Sequence, residues 1–346
     1  MRLLTTRRSA LRWTGVLAGL GATRGIAAKR EPSGVLKLRA LLSQPDSKID
    51  YGSVKLAIDK LVDPSADLDR AERQIGVLFR EATDLCGYSF VRQVPVEARI
   101  DALRTCLYRQ GPWNDNRPFR YDLENDPTGK EIPENALLPT CLDKRLGNCV
   151  SMPMLFLVLA QRMGVDASLA TAPEHVFLKV RAESGTYTNH ECTHDGGLKA
   201  DASYVREFEI TPEAVKLGTY LRPLSKKEGI LVMAGVLGSH YYRKEDIASL
   251  HAFADLTSEV SRGSLQAIQA KTAAYGLTLN VKFKKRYPRY EDIPPSEREE
   301  VRRLLRTISG LDAQANALGW RPVSAAFSEN YRRLVGRAVA ERGVVR

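Results

Sequence analysis

The chain has little apolar sequence of membrane-spanning length. The stretch Trp13–Ala22 is about 10 residues, half of what a bilayer helix needs, and no later run reaches that length. A helical membrane protein is therefore not expected. Cysteine is sparse too: Cys86, Cys106, Cys141, Cys149 and Cys192 are the only five, and an odd number cannot all pair within one chain. That excludes a complete disulfide scaffold and leaves one thiol to be explained. If one is reactive, the other four allow three pairings, which the sequence does not rank. Acid is missing altogether from residues 1–28, which hold five arginines.

What residues 1–28 do contain is ordered. Arg7 and Arg8 are paired, an apolar run follows, and small residues end at Ala27 and Ala28, the order of a secretory signal. Thr6-Arg7-Arg8-Ser9-Ala10-Leu11 resembles a twin-arginine export signal. The competing reading is a basic amphipathic helix. The expectation is an exported, periplasmic bacterial protein, soluble once its signal is removed. With 346 residues, 43% of them hydrophobic and 27% charged, the chain can bury a sizeable core in one large domain or two. The formal charge is +11, of which residues 281–346 contribute +7 from 15 basic and 8 acidic side chains.

Periodicity divides the chain. From Tyr51 to Gln110 apolar residues recur three or four apart, the helical period, and Pro95 fits the first turn of the third helix. "GPWNDNRPFRYDLENDPTGKEIPE" is rich in loop residues. The segment after it carries a helix that is apolar on every side from Met154 to Ala160, hence a buried one. Pro153 restricts its start to about Cys149–Ser151, and Gly164 ends it. Then the period becomes two: "ASLATA", "HVFLKV" and "TYTNHEC" read as strands, followed by a "DGG" turn. From Glu213 on the pattern is helical again. Leu237, Gly238 and Tyr241 are spaced as in the first helix of a tetratricopeptide repeat, but no second clean copy follows.

Residues 190–194, HECTH, match the zinc-peptidase motif in letters. That motif needs a helix to bring both histidines to one face. Tyr187, Thr188, Cys192 and Thr193 favour a strand instead, so no metal or other cofactor is expected. Folding 187–192 against 175–180 about Glu183 leaves Ala182, Glu183 and Ser184 as a three-residue loop, with Gly185 in a left-handed conformation. His175 then lies directly opposite Glu191, on one face with Phe177 and Asn189, with Cβ atoms about 5 Å apart. A one-residue slip would put Glu191 on the other face. Cys149 sits at the expected start of the buried helix, where free N–H groups favour an anion. Cys149, His175 and Glu191 thus fit the roles of nucleophile, base and orienter.

The block "RLGNCVSMPMLFLVLAQRMGVDASLATAPEHVFLKV" followed by "NHECTHDGG" resembles the bacterial transglutaminase-like superfamily, in the branch accompanied by tetratricopeptide repeats. Gly147-Asn148-Cys149, Glu174-His175 and Asn189–Gly197 carry the likeness, which extends more weakly over residues 36–260. It implies an α+β fold with a papain-like core, in which a cysteine thiolate attacks an amide carbonyl and passes the acyl group on through a thioester. Glu174 stands where that family has glycine, and Cys192 where proline or threonine is common. Asn148 and Asn189 are candidate oxyanion or supporting groups.

The organisation expected is an export signal at 1–28, a helical lead at 29–134, the core at 135–210 and a helical C-terminal region at 211–346. Hydrolysis of an amide or peptide bond is favoured over transamidation because nothing marks an amine site. The rival is a non-catalytic scaffold that keeps the fold to bind a partner. Partners expected are a peptide or protein substrate and a protein partner on the C-terminal helices. "VKFKKRYPRY", residues 281–290, is read as attracted to an anionic envelope surface or as a solvated face, not as a nucleic-acid site.

Overall fold

The computed structural model describes residues 31–87 and 93–324, with Phe327 and Glu329. The export-signal-like stretch 1–28 lies outside the described residues. In chain order the helices are α1 (Ser33–Leu42), α2 (Tyr51–Val62), α3 (Leu68–Leu85), α4 (Val96–Tyr108), α5 (Leu138–Lys144) and α6 (Ser151–Arg162). After the strands come α7 (Asp201–Glu207), α8 (Pro212–Lys216), α9 (Lys226–Met233), α10 (Gly235–Arg243), α11 (Ile247–Val260), α12 (Leu265–Leu279) and α13 (Pro295–Ala317). The strands are β1 (Arg120–Tyr121), β2 (Leu146–Gly147), β3 (Ala167–Ala172), β4 (His175–Arg181), β5 (Tyr187–Glu191) and β6 (Gly197–Leu198). Helices and sheet together make the α+β class expected.

Two compact units form. One holds the chain up to Leu41 with Gly238–Ala317; the other holds Leu42–Leu237 and the chain from Leu318 on. A buried polar tie joins α2 to residues 136–138. Lys55 and Asp59, one turn apart on α2, are fully buried as an ion pair. Asp59 accepts the backbone N–H of Leu138 at 2.7 Å, and Lys55 donates to the Ala136 carbonyl at 3.1 Å. The lead thus ends its own hydrogen bonding on the segment that opens the core.

In this unit α6 is the centre. Residues Ser151–Ala160 are all buried, which is why its sequence shows no polar face. It packs on β3 and β4 on one side and on α2, α4 and α5 on others. The main sheet runs β3-β4-β5-β6, all antiparallel, beside a parallel two-residue pair β1-β2. The short strands β1, β2 and β6 have too few residues to show a period, and the sequence does not reveal them. Two tight turns fix the sheet. Pro173 and Glu174 join β3 to β4 with Ala172 opposite His175, and Glu174 takes a left-handed φ of 59°. That is a conformation glycine adopts at least cost, so the Glu174 side chain strains the backbone there.

The β4–β5 hairpin corrects the expected register. Leu178 pairs His190, Lys179 pairs Asn189 and Arg181 pairs Tyr187. Ala182 N–H bonds to the Thr186 carbonyl at 2.8 Å, so the loop is Glu183, Ser184 and Gly185, one residue later than expected. Gly185 is left-handed, with φ 85°, as the turn requires. The pairing is shifted by two residues, an even number, so His175 and Glu191 keep the same face.

In the other unit α10 and α11 are joined by residues 244–246 and are followed by α12 and α13. Leu237, Gly238 and Tyr241 fall on α10. The 281–290 cluster folds differently from a basic patch. Phe283 is buried in a core with Leu279, Ile293, Val301 and Leu304, against which Tyr287 and Tyr290 pack. Four of its cations meet acids: Lys282–Glu300 at 3.1 Å, Lys285–Glu245, Arg286–Glu297 at 3.5 Å and Arg289–Asp292 at 2.9 Å. Exposed pairs like these contribute about 0–1 kcal/mol each.

Candidate active site

Gly147 ends β2, and its missing side chain makes the next turn possible. A Cβ there would stand 2.5 Å from Ser151 Oγ and 2.9 Å from Cys141 Sγ. The chain then turns into α6 under the control of Asn148. Its Oδ1 accepts the N–H groups of Val150 at 2.9 Å and Ser151 at 3.3 Å, while Ser151 Oγ accepts the Asn148 N–H at 3.2 Å. Ser151 also donates to the Asn135 carbonyl at 2.5 Å. Asn148 Nδ2 donates to the Gly129 carbonyl at 3.3 Å. As placed, Asn148 is a capping and positioning residue rather than an oxyanion donor.

Cys149 follows, two residues before the first helical residue and partly exposed. Its Sγ lies 4.0 Å from the Glu174 carbonyl oxygen. Its own backbone N–H has no acceptor among the described residues. The loop over it passes close: a Cβ on Gly129 would stand 3.6 Å from Sγ. Next in that loop, Lys130 pairs with Glu174 at 2.5 Å, tying the loop to the turn that leads into β4.

His175 opens β4. Nε2 faces Glu191 Oε2 at 2.7 Å, and the Cys149 side chain is near enough to act on the charge of the imidazole. Burial by itself pushes the imidazole's pKa down. The Glu191 charge opposes that most strongly, and the Cys149 side chain adds to it, so His175 is lifted to about 10. It is therefore held as an imidazolium between two anion-forming groups.

Glu191, at the end of β5, is buried, with every lone-pair direction used. Oε2 accepts from His175 and from Tyr204 Oη at 2.9 Å. Oε1 accepts from the Thr193 backbone N–H at 3.2 Å and Thr193 Oγ1 at 2.7 Å. Burial alone would raise the carboxyl's pKa. The His175 charge and these hydrogen bonds outweigh it and hold Glu191 down at about 2.

Three residues the sequence did not flag complete the site. Tyr204 is fully buried and stacks on Phe177 at 4.1 Å between ring centroids. Phe208 stacks on the His175 ring at 5.1 Å and 19°, fixing its plane. Thr193 clamps the far side of Glu191. Tyr204 and Phe208 are four apart in "DASYVREF", one helical turn, and that spacing is the only signal that could have found them. Asn189 supports them indirectly: Nδ2 donates to Asp201 at 2.6 Å and to the Lys199 carbonyl at 2.9 Å, and Oδ1 accepts from Lys179 at 2.7 Å. It thereby pins the start of α7, which carries Tyr204.

HECTH is a strand end running into a 3-10 turn. His190 is buried, with Nδ1 on the Gly196 carbonyl at 3.1 Å and Nε2 on Thr188 Oγ1 at 3.2 Å. Burial holds its pKa below the usual value, so it is a neutral structural group. His194 is exposed in the turn. No helix brings the two to one face. The remaining cysteines are free thiols: Cys106, Cys141 and Cys192 are buried and Cys86 partly so. Burial pushes the Cys106 thiol up to about 12 and Cys141 to about 11, and raises Cys192 as well, so these thiols are inert where they sit.

Residues 70–233, which span all these groups, match the family model of the transglutaminase-like superfamily. No curated protein and no solved structure matches the chain.

Proposed function

We propose that the chain is a cysteine-dependent acyl-transfer enzyme acting on an amide or peptide bond. The observation that carries this is the imidazole bonded to Glu191 at 2.7 Å, with the Cys149 sulfur 4.0 Å from the carbonyl of the adjoining Glu174. An imidazolium so placed stabilises a thiolate, and the carboxylate fixes the ring's orientation and charge. In the first half-reaction the Cys149 sulfur bonds to the amide carbonyl carbon. The negative charge on the oxygen faces the free Cys149 N–H, the preorganised donor available there. The C–N bond then breaks, and the amine leaves with the proton that His175 supplies. In the second half-reaction a water gives its proton to His175 and bonds to the thioester carbon. The C–S bond breaks, and a carboxylic acid leaves.

Hydrolysis is placed ahead of transamidation because no group near the thiol marks a site for a second amine. The arginine pair and apolar run within residues 1–28 support an exported, periplasmic setting, and a peptide or protein substrate suits a partly exposed thiol beside a loop. The helices after Glu213 supply surface for a protein partner.

The test is the pH dependence of iodoacetamide labelling at Cys149, followed by mass spectrometry in wild type and His175→Ala. Fast labelling well below pH 8 that is lost in the variant is expected. Slow labelling with one pH dependence in both proteins would leave a scaffold that keeps the fold without turnover.

A further inference from the structure

A loop and a turn meet beside the thiol. Residues 126–131 form a loop that is bonded within itself. Glu131 accepts the Thr128 N–H at 3.1 Å, the Thr128 hydroxyl at 2.7 Å and the Lys130 N–H at 3.2 Å. Asp126, fully buried, accepts the Glu131 N–H at 2.8 Å and Asn135 Nδ2 at 3.1 Å. These bonds make the loop one piece, with its base at Asp126.

Cys149 lies between this loop and the turn into β4. On one side a Cβ on Gly129 would stand 3.6 Å from Sγ; on the other the Glu174 carbonyl oxygen is 4.0 Å from it. The next residue of the loop, Lys130, pairs with the Glu174 side chain at 2.5 Å. Sulfur, loop and turn thus form a closed ring of contacts, and the ion pair is the bond that shuts it. On the Cys149 side the loop is held by the 3.3 Å bond from Asn148 Nδ2 to the Gly129 carbonyl. Glycine would take the left-handed conformation of Glu174 at less cost; what the glutamate adds there is this contact. The Lys130 and Glu174 side chains are 29% and 33% exposed, so the pair can open without disturbing the core.

We infer that the Lys130–Glu174 pair determines which groups reach the thiol. Closed, it holds the loop against the turn and admits narrow groups to Cys149; a wide acyl group enters only when the pair opens. The inference rests on the acyl-transfer reading, since it makes the pair a selector of substrate width at that same site. A part-exposed ion pair favours a closed form over an open one by a small factor, about 5-fold at most, so it selects without sealing the site. Salt weakens the pair and should widen access.

The experiment compares alkylation of Cys149 in the full chain by iodoacetamide and by a wide, uncharged relative, N-adamantyl iodoacetamide, followed by mass spectrometry. The quantity read is the wide-to-narrow ratio of rate constants, divided by the same ratio for glutathione. In wild type it is expected well below one, and to rise about 3- to 5-fold in Lys130→Ala and in Glu174→Gln. The double variant Lys130→Glu/Glu174→Lys, which reverses the pair, should return it to within about 2-fold of wild type. Sodium chloride at about 1 M should raise the ratio in wild type and leave Lys130→Ala where it is. A normalised wild-type ratio near one, or a ratio unmoved in both single variants, overturns the access role. A double variant as high as the single ones assigns the effect to something other than charge and overturns the pair as well. The two readings fail differently. Fast His175-dependent iodoacetamide labelling with an unmoved ratio removes the access role alone; slow labelling with an ordinary pH profile removes the acyl-transfer reading and the access role with it.

Discussion

Glu191→Gln keeps the size of a side chain whose charge and acceptor count both matter. The carboxylate receives four hydrogen bonds, two on each oxygen. Glutamine offers one acceptor oxygen and one NH2. If the oxygen stays with Thr193, the NH2 must face His175 Nε2 and Tyr204. An NH2 donating to Nε2 requires that nitrogen to be unprotonated, which moves the ring proton to Nδ1. The imidazole then no longer accepts a proton where the reaction needs it. Charge loss adds to this. A unit charge at about 4 Å in a medium of effective dielectric about 20 contributes about 4 kcal/mol, or roughly a thousandfold in the imidazole's protonation equilibrium. By analogy with the amide replacement of a triad carboxylate, turnover should fall by about 10⁴-fold. Alkylation of Cys149 reads the ion pair without a substrate. At pH 6 the variant should label at least about 100-fold more slowly than wild type, and above pH 9 the two should converge as any thiol ionises. A thermal melt on each protein guards against a folding defect. If the glutamine variant keeps the wild-type rate at pH 6 within a few-fold, the carboxylate does not control the thiol and the triad argument fails.

Two further outcomes follow from buried charge. Lys55→Met strands Asp59, fully buried and already pushed up by burial, and should cost about 3–5 kcal/mol in denaturant unfolding. A loss below about 1 kcal/mol would show that the pair does not tie the lead to the core. The His175–Glu191 pair should also shape stability against pH. His175 stands at about 10 against an ordinary 6.5, so its contribution is complete below pH 6.5 and is lost as pH rises through about 10. Glu191 stands at about 2 against 4.5, so its contribution is complete above pH 4.5 and is lost as pH falls toward 2. The melting-temperature difference between wild type and His175→Ala should therefore be greatest between pH 4.5 and 6.5 and shrink on both sides; a difference flat from pH 3 to 10 would contradict the assigned protonation.

Several features needed only the order of residues. The buried helix is written in the unbroken apolar run Met154–Ala160, because a helix with no polar face has nowhere to go but inside. The face shared by His175 and Glu191 follows from a period of two, and it held although the pairing moved by two residues, since only an odd slip exchanges faces. The strand character of 187–191 was enough to set HECTH apart from a metal-binding helix. What the sequence does not encode locally is contact between distant segments. Tyr204 and Phe208 come to the site because Asn189 pins α7, a bond across β5 and β6 that no spacing announces. No local pattern in 281–290 announces that Phe283 is buried with Ile293, Val301 and Leu304. Phe327, far along the chain, reaches the site by packing on Phe208. Local patterns decide which face a residue takes, because backbone geometry repeats over two or 3.6 residues. Which residues share a site is decided by packing, and packing belongs to the whole fold.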